Sequence, residues 1–203
     1  MTEEEAQTYV SGRSDDAALD CLYRYVQLLL DENRRQNLIS RSSENFVWSR
    51  HIVDSAQLLS YIGTSGTLMD VGSGPGLPGL VLAILQPNRH CVLVEPRKRR
   101  HEWLAETVRA LRLRNVDVRG SGVEKLETFS ADAITARAFA GLDKILNTCA
   151  RFSHADTRWA LPKGSSADSE LSQLPPKQQA LFHVEQSITN PEAGIIVGRG
   201  EIA

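Results

Sequence analysis

Asp70-Val71-Gly72-Ser73-Gly74-Pro75-Gly76 stands between two apolar runs, Thr67-Leu68-Met69-Asp70-Val71 before it and residues 80–85 after it. The first run has the length of a short buried strand. The second reads as a helix, with Pro78 in its first turn, where a missing N–H costs little. A strand, a glycine turn and a helix make the opening unit of a doubly wound sheet, which binds nucleotides at that turn, outside its carboxyl edge. Glycines permit positive φ and let the backbone approach a ligand closely. A tight strand-to-helix turn needs glycines too, so the surrounding sequence has to decide.

Downstream, strands alternate with helices. Residues 90–95, 116–119, 132–136 and 159–161 read as further strands. Residues 99–113 form an amphipathic helix with Trp103, Val108 and Leu111 as core candidates, and 142–152 another helix. The polar stretch 165–178, with Pro175-Pro176, is a loop or a short helix. Residues 181–188 and 195–199 flank Asn190-Pro191-Glu192-Ala193-Gly194 and predict a terminal hairpin. This alternation predicts an α/β fold with a mostly parallel sheet, the hairpin adding an antiparallel strand.

Upstream, residues 1–16 are polar and expected to fray. Leu19, Leu22, Tyr23, Val26, Leu29 and Leu30 fall on one helical face. A second helix is expected from Ser43, as N-cap, to near Tyr61, with Gly63 beyond its end. Residues 1–62 are therefore read as a helical N-terminal extension and 63–203 as a Rossmann-like domain, together one compact unit.

The chain has 203 residues, 41% apolar and 24% charged, which suits one globular domain. Its net charge of −2 gives no global attraction to nucleic acid, so a basic footprint must be local. Between residues 97 and 119 there are eight basic and three acidic side chains, a local net of +5. Arg34, Arg35, Arg41 and Arg50 add a second basic area. Cys21, Cys91 and Cys149 are too scattered for a disulfide frame or a metal site, so reduced thiols and no metal are expected. The acidic start Met1-Thr2-Glu3-Glu4-Glu5 lacks the regions of a signal peptide, and no apolar run spans a bilayer. A cytoplasmic location is expected.

Two details narrow the ligand. The glycines run G-x-G-x-G, and Leu77 occupies the place of the last glycine in a dinucleotide fingerprint. That disfavours a pyrophosphate. Glu95 then ends the next strand, at the distance of roughly 20 residues where an acidic side chain accepts from ribose hydroxyls. A sulfonium cofactor has no phosphates and needs close backbone, a ribose acceptor and room for an amino-acid tail. S-adenosylmethionine fits, with Gly72, Gly74, Gly76 and Leu77 as the loop and Asp70 holding the loop or meeting the ammonium group.

These residues resemble the bacterial small-subunit ribosomal RNA guanine-N7 methyltransferases, also called the glucose-inhibited division protein B family. The resemblance rests on Asn37-Leu38, Arg50-His51-Ile52-Val53-Asp54-Ser55, Asp70 to Gly79 with its G-x-G-P-G-L-P-G string, Arg99-Arg100, Arg137-Ala138-Phe139-Ala140 and Lys163-Gly164. It covers roughly residues 20–200. Departures stand at Glu32, where the family usually has tryptophan, at Ile39, where it has threonine, and at Gly122, where it often has arginine. The resemblance implies a class I S-adenosylmethionine-dependent methyltransferase with Val123 and Glu124 also at the cofactor. It implies small-subunit ribosomal RNA, or the subunit itself, as partner, with no membrane partner, and a monomer is expected.

His51, Asp54 and Ser55 share a helix face. A hydrolase triad is rejected, because G-x-S-x-G is absent and one helix turn cannot supply the relay geometry. The resemblance implies instead a polar patch near the cleft, with His51 toward substrate. Arg137 ends the fourth strand, where a guanidinium can clamp a cofactor carboxylate, an RNA phosphate or a guanine edge. Lys163 follows the fifth strand at the same edge, and these two are the expected catalytic groups. Arg97 to Arg100 sit beside Glu95, where a phosphate backbone can dock, Arg99 and Arg100 above all, although a charge run is also what a solvated face looks like. No D/N-P-P-Y string or cysteine follows the fourth strand, which disfavours an exocyclic amine or a covalent C5 mechanism; Phe139 there is a base-stacking or a core residue. Two rivals stand beside this reading: a noncatalytic RNA-binding or assembly module, and an NAD-dependent oxidoreductase.

Overall fold

The computed structural model describes residues 1–202, so Ala203, the last residue of the expected second region, lies outside the described residues. The strands are β1 (Leu68–Val71), β2 (Cys91–Val94), β3 (Val116–Arg119), β4 (Ala133–Thr135), β5 (Arg158–Gly164), β6 (Phe182–Gln186) and β7 (Gly194–Arg199). They form one seven-stranded sheet in the order β3-β2-β1-β4-β5-β7-β6. The first five run parallel, and β7 pairs antiparallel with both β5 and β6. The chain leaves β1 toward β2 and β3, then returns to β4 on the other side. β1 and β4 are therefore the switch point, with Asp70 opposite Thr135 at their carboxyl ends.

The helices are α1 (Glu3–Ser11), α2 (Asp16–Gln36), α3 (Asp54–Ala56), α4 (Leu59–Ile62), α5 (Gly79–Leu85), α6 (Lys98–Leu111), α7 (Leu142–Cys149), α8 (Ala167–Ser172) and α9 (Pro176–Gln179). Every residue of β1, β2 and β4 is buried, as continuous apolar strands covered on both faces must be. On one face Leu22, Tyr25 and Leu29 of α2 pack with Leu80 and Val81 of α5 and Trp103 and Leu104 of α6. On the other, Ile145, Leu146 and Cys149 of α7 pack with Met69, Ile134, Trp159 and Ile196. Cys91 and Cys149 are buried and free, and burial pushes both thiols up to about 12.

Three expectations need correction. Residues 1–16 do not fray: Thr2 and Glu5 close a reciprocal cap on α1, and Ala6 and Val10 are buried. The Glu3 carboxylate also accepts from the backbone N–H groups of Trp48 and Ser49 at 2.9 and 2.8 Å. Two apolar residues one turn apart are too few to show as a period, yet they suffice once the cap holds the turn. The expected helix over 43–61 is broken into a 3₁₀ turn (Arg41–Phe46), a π-helical turn (Trp48–Val53) and the short α3 and α4. Ser43 is not its N-cap; it is buried inside the 3₁₀ turn and donates to the Ser40 carbonyl. Finally, the hairpin contributes two strands, with β7 inserted beside β5 and β6 at the edge.

Candidate active site

The glycine loop is pinned at both ends by its own backbone. The N–H groups of Gly72 and Ser73 donate to the Val94 carbonyl, and those of Gly76 and Leu77 to the Ser73 carbonyl. Its three glycines do different jobs. A side chain at Gly72 would strike the Phe139 ring, and one at Gly76 would strike Leu80. At Gly74 an added side chain would meet Arg100 Nη1 and the Gly72 carbonyl only at ordinary contact distance, 3.7 Å, but its φ is +54°. That left-handed conformation is one a side chain would strain.

Glu95 is buried and grips this loop. Its Oε2 accepts from the Gly74 N–H at 2.9 Å, and its Oε1 from the Arg97 N–H at 2.9 Å. Each carboxylate oxygen keeps lone-pair capacity for a further donor. Asp70 lies beneath, fully buried, accepting from Thr135 Oγ1 at 2.8 Å and from the Gly79 N–H at 3.2 Å. These bonds tie β1 to β4 and to the start of α5. Burial pushes its carboxyl up to about 6, against the pull of its hydrogen bonds from Ser73, Thr135 and Gly79 and of the Arg137 charge. Leu77 turns its side chain into the core and spends its N–H on Ser73, so it packs the loop instead of facing the cavity.

Two cavities open along this edge. One, of about 340 Å³, is lined by Gly72, Val94, Pro96, residues 120–125 and Phe139. Val123 and Glu124 belong to it, and the Glu124 carboxylate folds over Gly122, where any side chain would displace it. The other, of about 380 Å³, is lined by Arg50, Asp54, Arg137, Ala138, Ala140, Lys163 and residues of the β6–β7 connection. The segment Arg137-Ala138-Phe139-Ala140 divides them: Phe139 faces the first, its three neighbours the second. Arg137 is thus on the second side and not among the residues lining the cavity at Gly72.

Arg137 Nη1 reaches both Asp54 Oδ2, at 3.2 Å, and His51 Nδ1, at 3.3 Å. Its Nε and Nη2 make no hydrogen bond among the described residues. Asp54 is completed by Gln57 and by Thr189 Oγ1 at 3.0 Å. His51 is therefore a buttress for Arg137 and does not line the second cavity. Burial, then the Arg137 and Arg50 charges, pull its pKa down to about 3, so the ring is neutral. Ser55 is fully buried and donates to the His51 carbonyl, which leaves no serine relay. Lys163 lies 2.8 Å from the Glu170 carboxylate and donates to the Ala140 carbonyl at 2.6 Å. It braces the dividing segment from below. Glu170 and Thr189 come from distant elements with no motif to announce them, and Gln57 stands one turn beyond Asp54.

Outside the cavities, Arg99 is exposed and Arg100 half-buried over the loop, its Nη1 3.7 Å from where a Gly74 side chain would begin. Gln36 Nε2 donates to the Arg99 carbonyl at 3.4 Å, which joins the end of α2, with Arg34 and Arg35, to the first turn of α6. The two basic stretches of the sequence thus meet beside Glu95.

A family model described as rRNA small subunit methyltransferase G matches residues 18–195. A ribosomal RNA small subunit methyltransferase G of Erythrobacter litoralis is 51% identical over 200 residues, 98% of this chain and 97% of its own. One of Novosphingobium aromaticivorans is 52% identical, covering 98% of this chain and 89% of its own. Among solved structures, the mitomycin 7-O-methyltransferase MmcR superposes with a TM-score of 0.60 at 15% identity, over 87% of this chain and 60% of that one. A fibrillarin/Nop5p complex gives 0.58 at 12%, over 75% and 82%. At such identities these two speak for the fold alone, a class I methyltransferase sheet. With a match that spans the glycine loop, Glu95, Arg137 and Lys163 together, this chain belongs to the rRNA small subunit methyltransferase G family.

Proposed function

We propose that this protein transfers the methyl group of S-adenosylmethionine to N7 of a guanosine in small-subunit ribosomal RNA. The observation that carries the reading is the divided edge: a cavity beside the glycine loop for the donor and one beside Arg137 for the acceptor, with a single short segment between them. The donor side fits its cofactor. Gly72 brings the loop backbone to the cavity, buried Glu95 has acceptor capacity for ribose hydroxyls, and Val123 and Glu124 line the remaining wall. When bound, S-adenosylmethionine supplies an electrophilic methyl on a sulfonium.

Guanine N7 presents an in-plane lone pair and carries no proton, so the acceptor needs no general base. Neutral His51, committed to Arg137, matches a site that has none to offer. Positive charge passes from sulfur to the base without a new ion being created, so alignment is the main demand on the protein. Arg137 has Nε and Nη2 free for the guanine O6 or a flanking phosphate. It has to leave N7 itself uncovered, because that lone pair attacks. Lys163, its charge paired with Glu170, holds the dividing segment through the Ala140 carbonyl.

RNA hides N7 in the deep, narrow major groove of its helices, so a splayed loop nucleotide is the accessible target. Arg99, Arg100 and the end of α2 offer phosphates a landing site at the mouth. One chain supplies every wall of both cavities, so a monomer suffices, with 1–62 and 63–203 working as one unit. No described helix is long and apolar enough to cross a membrane, which suits the cytoplasmic compartment of ribosomal RNA.

N7-methylguanosine makes RNA cleavable by aniline after reduction. Small-subunit RNA from a strain lacking this protein is expected to lose one such cleavage, and purified protein with S-adenosylmethionine to restore it. Cleavage that persists in the deletion strain, with no methyl transferred in vitro, sinks the assignment and favours a noncatalytic RNA-binding role.

A further inference from the structure

Tyr25 sits on α2, fully buried, and its hydroxyl donates to the Pro75 carbonyl at 2.8 Å across 50 residues of chain. Pro75 is the centre of the glycine loop, between Gly74, whose N–H Glu95 holds, and Gly76, which packs on Leu80; Gly72, at the start of the same loop, lines the donor cavity. Among the described residues no other group donates to that carbonyl. The loop is thus held from two sides. Glu95 accepts from the Gly74 N–H, and Tyr25 donates to the carbonyl of the next residue, Pro75. The ring of Tyr25 lies 6.4 Å from that of Trp103 on α6, the helix that begins just after Glu95, so both grips are anchored on one packed corner. Burial holds the phenol far from ionisation, which keeps it a donor at any working pH.

We propose that Tyr25 is a positioning residue for the cofactor: its hydroxyl sets the Pro75–Gly76 peptide and thereby presents Gly74 in the conformation the cofactor needs. This makes α2 part of the cofactor site, although no residue of it lines the donor cavity. The inference rests on the loop being the S-adenosylmethionine cradle. A loop whose peptide planes are fixed before binding spares the ligand the cost of ordering them, so loss of the grip is felt first as affinity.

Tyr25→Phe removes the hydroxyl and keeps the ring. Calorimetric titration with S-adenosylmethionine, well below the melting transition, is expected to show Kd raised about five- to twentyfold, the scale of one buried hydrogen bond. The value of kcat at saturating cofactor and the affinity for RNA should stay within about twofold, a KM-against-kcat split that general loosening of the fold would not produce. Leu58→Ala, in a buried cluster that holds no residue of the loop, serves as the stability control and should leave Kd unchanged. Hydrogen exchange over residues 72–77 should rise in Tyr25→Phe and stay put in the control. A Kd within twofold of wild type with unaltered loop exchange overturns the proposal, as does a control that weakens binding equally. Failure of the wild-type protein to bind S-adenosylmethionine would instead overturn the cofactor reading beneath it.

Discussion

His51 accepts a hydrogen bond from Arg137 through Nδ1, and this fixes the tautomer of the ring. Ser43 Oγ lies 2.8 Å from His51 Nε2, but its own proton goes to the Ser40 carbonyl at 2.8 Å. Ser43 can therefore only accept, Nε2 must carry the hydrogen, and Nδ1 must offer its lone pair. A chain of single donors thus runs from Arg137 through His51 to a buried serine. Protonation would put a second cation against Arg137 and break it.

His51→Gln should show this as a pH effect. The folded ring stays neutral down to about 3, while the unfolded ring takes a proton near its ordinary 6.5. Between those values the unfolded state binds more protons, so the contribution of His51 is full above 6.5 and is lost as pH falls toward 3. The stability advantage of wild type over His51→Gln should be flat above pH 6.5 and shrink steadily below it, by denaturant titration at each pH. An advantage independent of pH between 4 and 7 would mean that the ring is not held neutral. Asp70 contributes the opposite slope: its carboxyl is raised to about 6, so it favours the folded state at low pH and loses that as pH rises from about 3.8 through 6. Because Asp70 is common to both proteins, it cancels in the comparison.

Glu95→Gln tests the donor side. The amide keeps one acceptor oxygen, but its NH2 faces a backbone N–H where the carboxylate accepted. Both the loop grip and the ribose contact weaken. Affinity for S-adenosylmethionine should fall by about 1.5–3 kcal/mol, the range for hydrogen bonds to charged groups. Unchanged calorimetric affinity in a folded variant would remove Glu95 from the site.

Much of this was readable from residue patterns. The loop from Asp70 to Gly76 announces a strand, a turn and a helix because glycine spacing and apolar runs are local facts. Glu95, Arg137 and Lys163 follow from their places at strand ends. Direction is a different matter. Leu77 and His51 carry motif positions, yet one faces the core and the other faces Arg137, since only packing decides which side of a turn points at a cavity. Tyr25 was hidden in the apolar stripe of α2, where its ring reads as core and its hydroxyl has no local partner. The break in the helix over 43–61 escaped because the Asn33 and Glu3 side chains that set its turns come from other elements.

Reversing Arg99 and Arg100 to glutamate should weaken RNA binding and flatten its salt dependence. Each phosphate neutralised contributes about 0.7–0.9 to the slope of log K against log salt, so losing two contacts should lower the slope by roughly 1.4–1.8. Affinity for S-adenosylmethionine should change little by comparison. An identical salt slope, by filter binding across salt concentrations, would place the RNA elsewhere.

Arg137 decides between the two cavities. As a cofactor residue it would clamp the carboxylate of the amino-acid tail; as an acceptor residue it would hold the base or a phosphate. The structure puts it on the Lys163 side of the dividing segment, with Nη1 committed to Asp54 and His51 and the rest of the fork free. Arg137→Ala should therefore lower kcat/KM for RNA by about a hundredfold, roughly 2.7 kcal/mol, while S-adenosylmethionine binds within about threefold of wild type. Arg137→Lys keeps the charge but cannot reach His51, Asp54 and the ligand from one planar group, so it should recover only a small part of the rate. If alanine instead costs tenfold or more in cofactor affinity and leaves RNA binding alone, Arg137 is a tail clamp and the acceptor cavity is held by other groups.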